Sequence, residues 1–228
     1  MSNVPLRPGL ANAKITVDVV IFTIQDNAVK VLLVQRSEMP HQGEWALPGG
    51  FLWETETAND AARRVLHDKA GVENVFVEQL YTFDALDRDP RNRVISITHY
   101  ALIPREQLDI AESETTESPT FHLAVAGSKL AFDHGQIIDY ALRRLRAKLG
   151  YTNAAYSLLP KHFTLTELQQ LYETVYGRTL DKRNFRKKFL SLGLIEPTND
   201  YSSGGRHRPA QLYRFVSTEP MELTQGGI

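Results

Sequence analysis

The first 150 residues alternate short apolar runs with polar turns, a pattern typical of a mixed α/β unit. Segments rich in β-branched residues predict four strands: Lys14–Ile24, Ala28–Gln35, Val75–Phe83 and Val94–Ile103. Apolar residues recur at helical spacing in two further segments, Thr57–Ala70 and Gly135–Leu149. We expect the first of these helices to end at Gly71, because glycine commonly follows the last helical residue. The polar residues 111–120 predict a surface loop.

The residues after position 150 predict shorter helices and a final strand. Thr164 and Glu167 have the spacing of a capping box, which predicts the start of a helix over Thr164–Tyr176. A second helix is predicted over Thr179–Leu192 after a short turn, and a glycine-rich tip (201–209) precedes a strand-like segment. We therefore divide the chain into an N-terminal arm (1–12), a first domain (13–150) and a second domain (151–228).

Composition and charge narrow the class of protein. The absence of cysteine excludes a disulfide framework, a cysteine nucleophile and cysteine-ligated zinc. No apolar run approaches the roughly 20 residues that span a bilayer, and the N-terminus lacks an apolar signal core, so we expect a cytoplasmic protein with no membrane partner. The net charge of −1 conceals an asymmetry, since residues 178–214 carry nine basic and three acidic side chains. Such a local excess of positive charge is typical of a segment with an anionic partner.

A motif with fixed spacing occupies residues 50–72. It overlaps the end of the segment Leu47-Pro-Gly-Gly-Phe, which leads into it. Its members are Gly50, Glu56, Arg64, Leu66, Gly71 and Val72. The pattern resembles the signature of the Nudix superfamily: a glycine, five residues, a glutamate, seven residues, then Arg-Glu-apolar-x-Glu-Glu-x-Gly-apolar. The resemblance implies an α/β/α sandwich around a mixed sheet over roughly residues 13–148, within an α+β protein.

The chain departs from this signature at the three carboxylates of the motif helix. In Nudix hydrolases these carboxylates share one helix face and surround magnesium, which neutralises a pyrophosphate and positions the attacking water. Here the three positions hold Val65, Asp68 and Lys69. A lysine ammonium competes with a divalent cation instead of ligating it, and Asp68 can alternatively join a surface charge ladder with Asp60 and Arg64. We therefore expect no catalytic residue, no metal ligand and no required cofactor, and Mg²⁺ has a role only under the pyrophosphatase alternative given below.

The pocket can still bind a nucleoside diphosphate without cleaving it. Two adjacent glycines allow backbone amides to approach phosphate oxygens, and an arginine at the end of the second strand can pair with a phosphate. Two aromatic residues either stack on a base or belong to the core. The predicted ligand-binding residues are Arg36, Trp45, Gly49, Gly50, Phe51, Glu56 and Arg64. Arg88, Arg91 and Arg93 lie on a loop that either folds over the cleft or forms a solvated tip.

The second domain has the order helix, short turn, helix that is typical of a helix-turn-helix. On its second helix, Phe185 and Phe189 are predicted to face inward and the basic residues outward, where they could enter a major groove. The predicted DNA-binding residues are Lys182, Arg183, Asn184, Arg186 and Lys187 on this helix, and Arg206, His207 and Arg208 at the tip of a wing. The alternative is a solvated basic helix followed by a basic turn.

The combination of features extends the resemblance to nearly the whole chain. A Nudix-like domain, the segment Leu130-Ala-Phe-Asp-His-Gly, and a winged helix with Gly205-Arg-His-Arg-Pro-Ala-x-Leu-Tyr resemble the Nudix-related regulators of bacterial NAD metabolism, the NrtR-type repressors. The resemblance implies a homodimer that binds double-stranded operator DNA and senses ADP-ribose as its small nucleotide effector. We predict a ligand-responsive repressor of NAD-metabolism genes.

Three alternatives remain open at this point. The first is a Mg²⁺-dependent ADP-ribose pyrophosphatase that uses Glu56 and Asp68. The second is a regulator of the same architecture that senses a sugar-related ligand. The third is an RNA-binding or scaffold protein.

Overall fold

The computed structural model describes residues 12–73, 75–107, 119–125, 127–202 and 209–223. The strands are β1 (Lys14–Gln25), β2 (Ala28–Gln35), β3 (Trp45–Ala46), β4 (Gly49–Phe51), β5 (Phe76–Phe83), β6 (Val94–Leu102), β7 (Thr120–Leu123), β8 (Phe163–Thr164), β9 (Ile195–Tyr201) and β10 (Gln211–Phe215). The α-helices are α1 (Ala58–Ala70), α2 (His134–Tyr151), α3 (Leu165–Tyr176) and α4 (Lys182–Ser191). Short 3₁₀ turns occupy Arg105–Gln107 and Ala154–Ser157. None of the helices in these ranges has the length and apolar character needed to span a bilayer.

The first domain is built on a mixed sheet with the strand order β3-β2-β1-β6-β5. Strand β1 is antiparallel to β2 but parallel to β6, and β4 and β7 add antiparallel pairs to β1 and β2 respectively. Alternate residues of β1 face opposite sides of the sheet. Val17, Val19 and Ile21 pack with α1, whereas Val20 and Phe22 belong to the cluster that contains α2. The predicted α/β/α sandwich with a mixed sheet is therefore confirmed.

Local signals in the sequence account for the ends of the helices. Thr57 and Thr164 each cap a helix through a capping box, with Asp60 and Glu167 as the acidic partners. Gly71 follows α1 in the left-handed conformation, at φ 65°. Helix α4 begins at Lys182, three residues later than expected, because the Asp181 carboxylate accepts a hydrogen bond from the Asn184 amide.

The second domain is a winged helix, as predicted. Strands β8, β10 and β9 form a three-stranded antiparallel sheet, and α3 and α4 pack together beside it. The rings of Tyr172, Phe185 and Phe189 contact one another between the two helices, and all three side chains are buried. Burial of these rings is what fixes the orientation of α4 and leaves its other face exposed.

Helix α2 joins the two domains through a continuous core. One buried cluster extends from Val20 and Phe22 of the sheet, through Ile138 and Leu145 of α2, to residues of α3. Two hydrogen bonds reinforce this contact. Arg146 Nε donates to the Val175 carbonyl at 2.9 Å, and the Tyr172 hydroxyl donates to the Leu149 carbonyl at 3.2 Å. A displacement of α2 would therefore be transmitted to α3.

The surface loop predicted over residues 111–120 is wrong at its last residue, and most of it lies outside the described residues. Thr120, placed in a surface loop by its polar neighbours, is the first residue of β7, which pairs with β2. Strand β7 has only four residues, and only one of them is β-branched, so the sequence pattern was too short to predict a strand. The expected loop residues 111–118 lie outside the described ranges.

Candidate ligand pocket and nucleic-acid interface

A cleft of about 210 Å³ opens at the carboxyl-terminal end of β2, between β4, α1 and the loop that precedes β6. This volume is below the roughly 300–1,000 Å³ of sites that enclose a whole drug-sized ligand, so the cleft suits one polar portion of a larger molecule. Of the residues predicted to bind ligand, Arg36, Gly49, Gly50 and Phe51 all line it. The structure thus brings these four together.

Gly49 lies where β4 runs against β1. A Cβ atom at this position would stand 2.3 Å from the Asp18 carboxylate and 2.8 Å from the Val17 carbonyl oxygen. At Gly50 an added Cβ would meet nothing within 4 Å. The first glycine is therefore required by packing, whereas the second leaves open space beside the cleft.

Four cationic side chains line the cleft: Arg36, Lys69, Arg88 and Arg91. They differ in how their charge is compensated. Arg91 makes a two-point pair with Asp89, at 3.1 and 2.8 Å. Arg36 instead donates to two carbonyl oxygens, those of Pro40 at 2.9 Å and Glu38 at 3.2 Å. These carbonyls orient the Arg36 guanidinium but carry no net charge, so its charge remains available to an anionic ligand.

Arg88 is the most buried cation of the cleft, with 8% exposure. Its Nε and Nη2 donate to the two Asp133 oxygens at 3.0 and 2.8 Å, and Nη2 also approaches Asp18 Oδ2 at 3.4 Å. Burial opposes the Arg88 charge, but the hydrogen bonds and charges of the two aspartates outweigh it, so the pKa of Arg88 is raised. Because Asp133 is the residue that precedes α2, this pair connects the cleft wall to the start of that helix.

His134, the first residue of α2, lies beside the same aspartates and is buried. Its Nδ1 accepts a hydrogen bond from the Leu47 amide at 2.9 Å, which places the ring proton on Nε2, 3.8 Å from Asp18 Oδ1. Burial lowers the pKa of His134, so the imidazole is neutral in the folded protein.

Phe132 forms a wall of the cleft and has a left-handed backbone, with φ of 55°. Bulky residues rarely adopt this conformation, and such outliers often occur at binding sites. The guanidinium carbons of Arg36 and Arg91 lie 4.8 and 5.8 Å from the centre of its ring. Phe132 thus packs between two of the cations that face the cleft.

The other three residues predicted to bind ligand do not line the cleft: Trp45, Glu56 and Arg64. Arg64 donates to both oxygens of Glu56, at 3.0 and 2.6 Å, and its guanidinium stacks 3.8 Å from the Trp53 ring. The hydrogen bond from Arg64 keeps the pKa of Glu56 below its usual value. The two aspartates of the alternative charge ladder form their hydrogen bonds elsewhere, Asp60 with Thr57 and Asp68 with His67. Trp45 packs against the main core, with its ring 4.3 Å from that of His122.

The carboxylate positions of the motif helix do not form a metal site. Val65 is buried among apolar residues, Asp68 is hydrogen-bonded to His67 at 3.2 Å and half exposed, and Lys69 points to the cleft wall. Within the described ranges, the acidic and histidine side chains include no group of three or more placed to hold a metal ion. The residues present therefore do not fit the magnesium cluster that the Nudix signature implies.

The sequence could not identify Arg88, Phe132 and His134 individually as parts of one site. Arg88 was one of three loop arginines with two alternative placements, and the structure buries it in the cleft wall. Phe132 and His134 belong to the segment Leu130-Ala-Phe-Asp-His-Gly, which the sequence singled out only as a family feature. Arg93 lies outside the wall and donates to the Asp84 and Ala85 carbonyls.

A second candidate interface lies on the exposed face of α4. Lys182, Arg183, Asn184 and Lys187 are exposed, opposite the buried Phe185 and Phe189. Arg186 differs, because its Nη2 donates to Thr166 Oγ1 of α3 at 2.9 Å and its buried Nε has no hydrogen-bond partner in the described part of the chain. The predicted wing residues Arg206, His207 and Arg208 lie outside the described residues. The α4 face offers several cationic side chains on one short helix, a pattern suited to phosphate contacts.

Comparison with known families accounts for both parts of the chain. Residues 14–139 match the model of the NUDIX domain, and residues 155–215 match that of the NrtR DNA-binding winged helix domain. The chain is similar to the ADPR responsive transcriptional repressor NtrR of Acinetobacter baylyi. The two are 39% identical over 205 residues, which cover 88% of this chain and 81% of the relative.

Two solved structures from Shewanella oneidensis resemble the fold. NrtR complexed with a 27mer DNA has a TM-score of 0.80 and 35% sequence identity, with 88% of this chain and 93% of that chain covered. The NUDIX domain of NrtR complexed with ADP ribose has a TM-score of 0.53 and 34% identity, with 64% of this chain and 99% of that chain covered.

Proposed function

The chain belongs to the NrtR family of Nudix-related transcriptional regulators, and from this premise we propose that it is a homodimeric repressor that responds to ADP-ribose. One structural observation carries the proposal: a cationic cleft is connected through α2 and α3 to α4, a helix with an exposed basic face. The regulator binds double-stranded operator DNA through its winged helices and controls genes of NAD metabolism. We place this activity in the cytoplasm, where the DNA is accessible.

The effector is a nucleoside diphosphate of the ADP-ribose type. Arg36 has the charge and the geometry to pair with a pyrophosphate oxygen, and Gly50 leaves room for the ligand to approach the backbone. Phe51 is 46% exposed at the edge of the cleft, so its ring is available to stack on a base or ribose face. A sugar-related effector would not require so many cations in the cleft wall, which favours the nucleotide.

We assign no hydrolase activity to the Nudix domain. The alternative, a magnesium-dependent pyrophosphatase, would need Glu56 and Asp68 as ligands. Both Glu56 oxygens accept hydrogen bonds from Arg64, and Asp68 faces away from the cleft. Incubation with ADP-ribose and Mg²⁺ should therefore release AMP only at background, and a turnover on the order of 1 per second or faster would contradict this assignment.

We propose that the DNA-binding surface consists of α4 together with the wing that the sequence predicts over residues 201–209. Lys182, Arg183, Asn184 and Lys187 contact phosphates and groove edges, and we retain Arg186 as the residue that reads a base. Thr166 holds the Arg186 guanidinium in one orientation, which lowers the entropic cost of a specific contact. Arg206, His207 and Arg208 would follow the backbone from the wing. In a dimer, two such surfaces meet half-sites about one helical turn of DNA apart, or a multiple of it.

The effect of ligand binding is transmitted from the cleft to the DNA-binding domain through Arg88, Asp133 and α2. Phosphate oxygens and carboxylates are equivalent partners for a guanidinium, so a diphosphate in the cleft competes with Asp133 for Arg88. Loss of this pair frees the start of α2, whose other end contacts α3 through Arg146. The boundary between the two domains at residue 150 therefore lies at the end of the element that transmits the signal.

A gel-shift experiment tests the DNA half of this proposal. The probes are a duplex from the region upstream of the protein's own gene, a scrambled duplex of equal length, and an RNA hairpin. A sequence-specific complex with the upstream duplex is expected. Equal binding to all three probes would instead favour the RNA-binding or scaffold alternative.

A further inference from the structure

A second cavity, of about 630 Å³, lies between the two domains and is called the interdomain cavity below. The first domain contributes the start of β5, the end of β6 and Arg63 of α1, and the second contributes the 3₁₀ turn at Ala154–Ser157 and the end of β10. Among the described residues, none lines both this cavity and the cationic cleft. The volume lies within the roughly 300–1,000 Å³ that is usual for small-molecule sites, so a whole ligand of modest size fits here.

The walls of the interdomain cavity are mainly apolar and aromatic. Leu102 and Leu159 are buried, whereas Phe76, Tyr156 and Phe215 are partly exposed. The rings of Tyr156 and Phe215 meet edge to face, with their centroids 6.4 Å apart. Such walls favour a ligand with an apolar body, because binding removes apolar surface of both ligand and protein from water.

The charged side chains that line this cavity are all cationic. Arg63 comes from the first domain, and Lys161 and Arg214 come from the second. Arg214 pairs with Glu196 at 2.6 Å, but no acidic side chain of the described ranges lines the cavity itself. A concave surface with charges of one sign attracts ligands of the opposite sign. The lining therefore selects an anionic group.

Ser157 adds a polar group to the wall. Its side chain is 6% exposed, and its hydroxyl has no hydrogen-bond partner in the part of the chain that the structure describes. Buried hydroxyls are normally paired, because an unpaired one has lost its hydrogen bonds to water without replacement. A ligand oxygen that reaches this wall would supply the partner.

We propose that the interdomain cavity is a second ligand site, which binds a small amphipathic anion: a carboxylate or sulfonate with an aromatic or aliphatic body. The anionic group lies between Arg63 and Lys161, and the body packs against the aromatic walls. Because this ligand contacts both domains at once, its binding favours the arrangement of the domains described here. The inference goes beyond the proposed function, since it requires neither ADP-ribose nor DNA.

The first test is a fluorescence titration of the full-length protein with the dye anilinonaphthalene sulfonate, an aromatic anion. Saturable binding of one molecule per chain is expected, with a dissociation constant of about 100 μM or lower. Octanoate should displace the dye, and the neutral octanamide should compete at least about tenfold less well because it lacks the charge. Absence of saturable binding, or equal competition by the two compounds, would overturn the inference.

Two further titrations locate the bound dye. Saturating ADP-ribose should leave the dye bound, because the cleft and the interdomain cavity have separate walls. Competitive displacement by ADP-ribose would place the dye in the cleft and contradict the inference.

Thr218→Trp tests the shape of the site. Thr218 is an exposed residue of the lining, so a tryptophan there should occupy part of the cavity without disturbing the core. Thr218→Trp should block dye binding, whereas Thr218→Ala should retain it. Equal dye affinity in the two folded variants would exclude this cavity as the site.

A pair of double variants tests the charge. Arg63→Met combined with Lys161→Met should weaken dye binding by about tenfold or more, as expected for loss of charge-assisted contacts. The matched control is Arg143→Met combined with Lys129→Met, which removes two exposed cations outside the cavity and should bind the dye as the parent protein does. Circular dichroism checks that each variant is folded. If both double variants lose the same affinity, net charge alone attracts the dye and the assigned role of Arg63 and Lys161 is wrong.

Discussion

At the scale of single residues, Gly49 and Gly50 are adjacent but experience different constraints. Gly49→Ala would place a methyl group 2.3 Å from Asp18 Oδ1 and against the β1 backbone. We expect it to lower the free energy of unfolding by about 1–3 kcal/mol, the usual cost of overpacking. Gly50→Ala has open space and serves as the control. Urea denaturation of both variants measures the difference, and equal stability would contradict the close approach of β4 to β1.

Buried histidines make stability depend on pH. Burial lowers the pKa values of His99, His122 and His134 below 6.5, so each is protonated more readily in the unfolded chain than in the folded one. The folded state is therefore destabilised as the pH falls below 6.5, because the unfolded chain then binds protons at these positions more readily than the folded chain does. The carboxylates with lowered pKa lose their contribution to stability only at lower pH. The change in unfolding free energy just below pH 6.5 therefore measures the effect of the histidines.

His134→Asn isolates one of these groups, because the asparagine oxygen can replace Nδ1 as the acceptor for the Leu47 amide. The variant should reduce the pH dependence of unfolding by up to one proton, or about 1.4 kcal/mol per pH unit. Substitution of the exposed His162 is the control and should leave the slope unchanged. A His134→Asn slope identical to that of the parent would show that His134 is not held neutral.

Some of these site residues could be predicted from the sequence and others could not. The difference is how far apart in the chain the interacting residues lie. Gly50 and Arg64 could be assigned from a motif of fixed local spacing. The pairs of Arg88 with Asp133 and Asp18 join residues 45 and 70 positions apart, and no local pattern indicates such pairs. Trp45 shows the same limit, because an aromatic residue near a motif can face either the ligand or the core.

At the scale of secondary structure, the helices were predicted more completely than the small strands. Capping boxes and C-terminal glycines are local signals, and they fixed both ends of α3. Strands β3, β4 and β7 are two to four residues long and exist because neighbouring strands pair with them. The parallel pairing of β1 with β6 is likewise a tertiary feature, which the chain order alone does not specify.

Helix α4 gives a prediction at this scale, because its basic residues differ in their contacts. Lys187→Ala should weaken binding to all duplexes alike and reduce the salt dependence by about one charge, as expected for a phosphate contact. Arg186→Ala should cost about 1–3 kcal/mol on the operator and little on scrambled DNA, as expected for a base contact.

Arg143→Ala on the exposed face of α2 is the control for these two variants. Fluorescence anisotropy across a salt series separates the outcomes. If Arg186→Ala weakens both duplexes equally, the contact with Thr166 serves to orient α4, and the base-reading role of Arg186 is wrong.

At the scale of the whole molecule, the account requires communication between the cleft and α4. The pathway through Arg88, Asp133, α2 and α3 is physically continuous, because buried side chains and hydrogen bonds connect each step. Ligand binding shifts operator affinity only if ADP-ribose favours the arrangement that binds DNA less well. Allosteric coupling is typically about 1–3 kcal/mol, which corresponds to a change in affinity of roughly 5- to 150-fold.

Arg36 links this coupling to a particular contact in the cleft. Arg36→Ala removes the guanidinium that Pro40 and Glu38 orient, so ADP-ribose binding should weaken by about 1.5–3 kcal/mol. Calorimetry measures this loss. Operator affinity without ligand should remain at the level of the parent protein, because Arg36 lines the cleft of the first domain and α4 belongs to the second. Unchanged ADP-ribose affinity in a folded variant would remove Arg36 from the site.

The most direct test of the central claim measures operator affinity by fluorescence anisotropy with and without saturating ADP-ribose, in the parent protein and in Arg36→Ala. The parent should lose operator affinity by at least about fivefold when ADP-ribose is added. Arg36→Ala should show the same loss only at about 10- to 150-fold higher ADP-ribose concentrations. Operator affinity that stays constant or rises with ADP-ribose in the parent protein would contradict the account.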